Sequence, residues 1–320
     1  MKGIISIALA FALLSGLSGR AHAQSCSASA SAISFGSVSP ISRNAVSATG
    51  TVSVTCTWPA ITLTPSVQVC LNLGGTSPRD LVNGSNQMQY DLYQDPAHSL
   101  AWGSIYYGTT PISLTLVKPG LGTTASTSVT IYGQITANQP SVPTVGNSST
   151  TYAQTFGGGT TSINYGFYLL GAPSCTSLTA TQGTFAFNTT ATVVNNCNIS
   201  ATNLSFAATS VLSTALTATG SITAQCTNGD AYRIALNGGA TGNVAARQMA
   251  RSGGGGTVNY QLYVDSAHTS AWGDGTGGTA MATGTGTGNQ QVLNVYGVVP
   301  AQTSPAPGSY SDTITATISF

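Results

Sequence analysis

The chain has 320 residues, of which only 5% are charged: eight Lys and Arg stand against seven acidic residues, every one an Asp. Nucleic-acid affinity rests on cations that neutralise phosphates, and a few dispersed Lys and Arg give no such footprint, so no nucleic-acid partner is expected. With no Glu and three His in the whole chain, carboxylate-pair and triad chemistry have little to work with, and no catalytic residue, metal site or cofactor is assigned.

Residues 1–23 read as a secretory signal, with Lys2 at a positive start, an apolar run from Ile4 to Leu17, and Ala21-His22-Ala23 as a small-x-small cleavage site. The run is interrupted by Ser15 and Gly16 and falls short of the roughly 20 apolar residues that a membrane span needs. Without Lys2 and Arg20, six basic residues face seven Asp, a net charge of −1 for a mature chain starting at Gln24. An exported protein is expected, and abundant Thr, Ser, Gly, Val and Tyr with little charge suit short strands and tight turns.

The remainder divides into two units, 24–172 and 173–320, each long enough to bury one core. Tyr90-Asp91-Leu92-Tyr93-Gln94-Asp95-Pro96-Ala97-His98-Ser99-Leu100-Ala101-Trp102-Gly103 recurs from Tyr260 to Gly273 with nine of fourteen positions identical. In chain order the first unit runs from Cys26 through Ile33-Ser34-Phe35-Gly36 to Val52, Val54 and Cys56, which share one face at period two as in a half-buried strand. The second unit repeats this from Cys197 through Leu204-Ser205-Phe206-Ala207 to Cys226. Val67 to Asn72 and Tyr232 to Asn237 follow, then Arg79 and Arg247, then the repeated stretch, and strands at 128–135, 292–299, 151–156 and 313–320. Seven or so strands per unit, with turn residues at each junction and no helical period, predict an all-β protein of two tandem sandwiches.

Six Cys without a Cys-x-x-Cys pair favour disulfides in an exported chain. Cys26 and Cys56 are 30 residues apart and Cys197 and Cys226 are 29 apart, so one bridge per unit is expected. Closing a loop of about 30 residues contributes roughly 3–4 kcal/mol in the chain-entropy account. Cys70 and Cys175 are left to pair with one another.

The opening from Cys197 to Phe206, the Tyr-x-Leu-Tyr-x-Asp to Trp-Gly centre, and Gly308-Ser309-Tyr310-Ser311-Asp312-Thr313 before a final alternating strand resemble the spore coat protein U domain family. The likeness covers nearly all of 175–320. It is looser over 26–172, where Tyr152-Ala153-Gln154-Thr155 replaces Tyr-Ser-Asp-Thr and Gly157-Gly158-Gly159 has no counterpart. The resemblance implies subunits of Csu-type archaic chaperone-usher pili, with incomplete immunoglobulin-like sandwiches joined by donor-strand exchange. It implies a periplasmic pilus chaperone, an outer-membrane usher and the next pilin subunit as partners, and a cell-surface location. Two-domain members are typically tip adhesins that contact an abiotic or host surface.

The residues also speak to position in such a fibre. In the segment 183–194, Phe185, Phe187, Ala191 and Val193 share one face, the pattern of a strand lent to a preceding unit. No such segment precedes Cys26, which suits a terminal subunit. The second unit is expected to need a strand from another subunit. The first is expected to be completed within the chain, by residues 177–187 or by 162–170.

Asp95, His98 and Trp102, with Asp265, His268 and Trp272, occur in both units and are read as scaffold, since a binding site need occur only once. Arg79 and Arg247 are read likewise, and Gly253 to Gly256 as a hairpin connection, since no Gly-Lys-Ser/Thr ending follows. Function is sought where the units differ. Trp58, Ile61 and Leu63 follow the second Cys, Ile105, Tyr106 and Tyr107 follow Trp-Gly, and Val142 and Val145 lie in 139–150, all opposite polar residues in the second unit. These are the expected adhesive loops, converging on one pole. The alternatives are a two-domain adaptor without surface contact and a secreted carbohydrate-binding module that stacks sugars on Trp102.

Overall fold

The computed structural model describes residues 24–320, so the expected signal segment, 1–23, lies outside the described residues. Two all-β sandwiches follow one another, each with its own apolar core. The strands of the first are β1 (Ser25–Ala30), β2 (Ile33–Val38), β3 (Val46–Thr57), β4 (Ser66–Leu73), β5 (Arg79–Asn83), β6 (Asn86–Tyr93), β7 (Ile112–Val117), β8 (Thr124–Ile135), β9 (Thr150–Phe156), β10 (Thr161–Tyr168) and β11 (Phe187–Val193). Those of the second are β12 (Cys197–Ala201), β13 (Leu216–Cys226), β14 (Ala231–Leu236), β15 (Arg247–Arg251), β16 (Thr257–Tyr263), β17 (Ala282–Thr285), β18 (Gln291–Val299), β19 (Tyr310–Ser311) and β20 (Ala316–Ser319).

Alternation drives the layering. Along β3, Val52, Val54 and Cys56 are buried while Ser47, Thr49 and Thr51 are exposed, and β13 repeats the pattern with Ile222, Ala224 and Cys226 inside. The sheets are related strand by strand. The first sandwich pairs its large sheet in the order β1-β3-β8-β6-β5-β9-β11-β2 against β10-β4-β7, and the second has β12-β13-β18-β16-β15-β19 against β17-β14-β20. The second sandwich therefore lacks counterparts of β11 and β2.

Three disulfides staple the chain: Cys26–Cys56, Cys197–Cys226 and Cys70–Cys175. The first two join directly opposed residues of neighbouring antiparallel strands. The third links β4 to the segment after β10.

Two expectations are corrected. The strand that completes the first sandwich is β11, not 177–187 or 162–170: it pairs antiparallel with β9 from Phe187↔Phe156 to Val193↔Thr150, and parallel with β2. Residues 161–168 instead form β10, which lies on β4 as β20 lies on β14. Because β11 belongs to the first core, the boundary between the domains falls at 194–196 and not at 172/173. Alternation marks a segment as a strand without saying which open edge it will find.

The domains meet through one end of the first sandwich. Thr144 N donates to Asn228 O at 3.0 Å, Asn228 Nδ2 to Ser141 O at 2.6 Å, Ala231 N to Asn147 Oδ1 at 2.5 Å and Arg43 Nη2 to Asn289 Oδ1 at 2.7 Å.

Candidate strand-acceptor groove and apolar pole

The missing strands leave a groove. In the first sandwich Phe187 of β11 stacks on Phe156, centroids 4.7 Å apart, and on Trp102 at 5.9 Å, with Phe185 beside them. The matching place in the second is an open cavity of about 990 Å³ lined by Leu204, Phe206, Leu236, Tyr260, Leu262 and Ile314. Along its edge β19 pairs only with β15, and residues 202–209, the counterpart of β2, form no strand. An unpaired strand edge beside apolar pockets is a template for another strand: backbone groups supply hydrogen bonds and alternate side chains fill the pockets.

On the floor, Tyr260 Oη donates to Asp312 Oδ2 at 2.7 Å, while Ala240 N and Thr313 N donate to Asp312 Oδ1 at 2.9 and 2.8 Å. Burial, reinforced by the carboxylate that accepts its hydrogen bond, holds the Tyr260 phenol well above its ordinary range, so it remains a donor.

The expected adhesive loops go to three different places, and their convergence is corrected. Register fixes the ends of the sandwich: Thr57 faces Thr124, and Ser66 faces both Val117 and Tyr168. Loops 58–65, 118–123 and 169–172 therefore leave from one end, opposite the end that meets the second domain. There Ile61 is 91% exposed, Leu63 83%, Leu121 106% and Leu170 86%, with Val117 and Leu169 also exposed. Gln24 Nε2 pins the first loop by donating to Thr62 Oγ1 at 2.9 Å and Thr64 Oγ1 at 2.8 Å. Lys118 is the one charged residue of these three loops. Leu121, Leu169 and Leu170 were missed in the sequence; the visible signal was paired Leu before Gly171, where β-alternation stops.

Trp58 does not belong to this surface. It is buried, edge-on to Phe167 at 5.6 Å, and its main-chain N–H donates to Thr123 O, which extends the β3–β8 pairing by one residue. Ile105, Tyr106 and Tyr107 form a short turn by the other end of β4: Asn72 Oδ1 accepts from Ile105 N at 3.0 Å, and Tyr106 Oη donates to Thr179 O at 3.0 Å while accepting from Asn164 Nδ2 at 2.7 Å. That turn clamps the linker onto β10. Val142 is buried and Val145 half exposed beside the domain junction, where Tyr152 Oη donates to Pro143 O at 2.6 Å and burial pushes the Tyr152 phenol up to about 12.

The repeated stretch acts as scaffold in both copies. Trp102 and Trp272 are wholly buried, with indole N–H groups donating to Leu71 O and Ile234 O at 3.0 and 2.8 Å, so Trp102 offers no face to a sugar. Asp95 accepts from Leu100 N at 2.8 Å and from Ser99, and Asp265 accepts from Ser270 N at 2.7 Å and from Thr269. These bonds, led by the Leu100 amide for Asp95 and the Thr269 amide for Asp265, hold both carboxyls below the usual range. His98 and His268 sit in the left-handed region at φ 54° and 57°, closing the same turn. Among the described residues no group of three or more His, Cys, Asp or Glu could hold a metal ion.

The chain belongs to the Spore Coat Protein U domain family, whose profile matches residues 16–157 and 183–317. The first match spans β1–β9 of the first sandwich, and the second begins just ahead of β11 and runs through the second sandwich. Protein U of Myxococcus xanthus is 37% identical over 117 residues, a match spanning 35% of this chain and 64% of that relative, short of two thirds of its length. Among solved structures, the CsuC-CsuE chaperone-tip adhesion subunit pre-assembly complex of Acinetobacter baumannii Csu pili is similar at 16% identity, covering 92% of this chain and 100% of that one with a TM-score of 0.49. The CupB6 tip adhesin of Pseudomonas aeruginosa is similar at 10% identity, covering 86% of each chain with a TM-score of 0.38.

Proposed function

We propose that the chain is a non-enzymatic, exported subunit at the tip of an archaic chaperone-usher pilus, and that its first domain attaches the fibre to surfaces and supports biofilm formation. One observation carries this reading: two sandwiches of the same topology differ in that one is filled by β11 and the other is open. The open groove is where a periplasmic chaperone would hold the subunit and where the next pilin would insert its strand at the outer-membrane usher. The segment suited to be a donor, 183–194, is already engaged inside its own chain.

The adhesive surface is the apolar pole formed by Ile61, Leu63, Val117, Leu121, Leu169 and Leu170, at the end farthest from the groove-bearing domain. Exposed aliphatic side chains with a single cation nearby suit an apolar abiotic surface or an apolar host surface better than a polar glycan. Fibres carrying Ile61→Ser, Leu63→Ser, Leu121→Ser and Leu170→Ser together should assemble at normal length and lose attachment to polystyrene. Attachment at the unaltered level would leave an adaptor role without surface contact.

A further inference from the structure

Strand register between the two domains says what the open groove selects. In the first sandwich Arg79 faces Tyr90 and Val82 faces Ala153; in the second, Arg247 faces Tyr260 and Ala250 faces Ser311. Val82 and Ala250 each lie three residues after their Arg, so Ser311 stands in the place of Ala153 and Asp312 in the place of Gln154. The hydroxyl contacts agree: Tyr90 donates to Gln154 Oε1, and Tyr260 donates to Asp312 Oδ2. Across from Gln154, β11 places Thr189, which is wholly buried and is flanked on the same face by Phe187, Ala191 and Val193. A strand entering the second domain in the β11 register therefore sets one inward residue directly over Asp312.

That residue cannot be chosen on apolarity alone. Covering Asp312 removes water from a carboxylate whose Oδ2 now has one protein donor, and a buried charge is costly unless hydrogen bonds replace the lost water. Thr189 shows the size that the position accepts in a filled sandwich, where its own hydroxyl has no partner and the Gln154 amide oxygen is taken by Tyr90. We infer that the strand completing the second domain carries Thr or Ser opposite Asp312, between large apolar residues two positions to its N-terminal side and smaller apolar residues to its C-terminal side, and that the hydroxyl donates to the carboxylate. This rests on the donor-strand reading above. Asp312 and Tyr260 then discriminate among donor strands that the apolar pockets alone would accept equally.

A synthetic peptide of residues 183–195 serves as the probe, added to the full mature chain released from its chaperone. The unaltered peptide should bind and raise the Tm of the second domain. Thr189→Val in the peptide should weaken binding about tenfold or more, the scale for losing a hydrogen bond to a charged group, and Thr189→Ser should restore it to within about threefold. With Asp312→Ala in the chain, the unaltered and Val peptides should bind alike. Equal binding of the two peptides to the unaltered chain overturns the inference while leaving the donor-strand reading intact. Failure of all peptides to bind overturns both.

Discussion

Arg79 of β5 and Asp91 of β6 form an ion pair buried on both sides, and the second domain replaces it with Arg247 and Gln261. Both guanidinium groups also donate to main-chain carbonyls, Arg79 to Trp102 O at 3.0 Å and Arg247 to Asn237 O at 2.8 Å. The shared element is the Arg, and its partner needs only an acceptor oxygen. Asp91→Ala leaves a buried cation without its carboxylate and should destabilise the first domain by about 3–5 kcal/mol. Asp91→Gln, which copies the second domain, should lose less than half of that in denaturant unfolding. Equal losses would mean that charge, not the acceptor, holds the Arg.

The domain junction should respond to pH through Asp230. Its side chain has no exposure, its Oδ1 accepts from Thr144 Oγ1 and its Oδ2 has no partner. Burial holds this carboxyl above its usual range, with the Thr144 bond acting in opposition. The folded protein thus binds the proton more tightly than the unfolded chain does. The resulting stabilisation is present below the ordinary carboxylate pKa of about 3.9 and is lost as pH rises through the higher folded value. Asp230→Asn keeps an acceptor for Thr144, so it should flatten this dependence and raise Tm at neutral pH, as read by calorimetry across pH 3 to 8. An unchanged profile would exclude Asp230 as the titrating group.

Cys70 and Cys175 are 105 residues apart and anchor the segment leading to β11. Replacing both with Ala should cost up to about 4–5 kcal/mol in the chain-entropy account. The loss should be confined to the first of two unfolding transitions. A matching shift in the second transition would show that the domains unfold as one unit.

Phe187 carries the packing of β11. Phe187→Ala removes its stacks on Phe156 and Trp102 and should destabilise the first domain by about 3–5 kcal/mol. Limited proteolysis should then cut within 176–196 before any other segment. Unchanged protection there would mean that main-chain pairing with β9 and β2 suffices.

Much of this was legible in the sequence because it is local. Alternation in Val52, Val54 and Cys56, the repeated fourteen-residue stretch and the matched spacing of Cys26–Cys56 and Cys197–Cys226 specify two β-sandwiches with one staple each, since side-chain period and loop length are properties of a short stretch of chain. Asp95 and Asp265 likewise act on amides four and five residues away, within reach of sequence reasoning.

What only the tertiary structure decided depends on partners distant in the chain. Trp58 and Ile61 are equally apolar and three residues apart, yet Phe167, more than a hundred residues on, buries one and leaves the other in solvent. Val142 packs into the core of its own domain, and Leu121 and Leu170 reach the same pole because β8 and β10 happen to begin and end there. Residues 183–194 announce a strand by alternation. Which open edge receives it is decided by segment 169–186, which ties it to β10, and by the Cys70–Cys175 bridge, which hold β11 beside β9 while the groove of the second domain stays open.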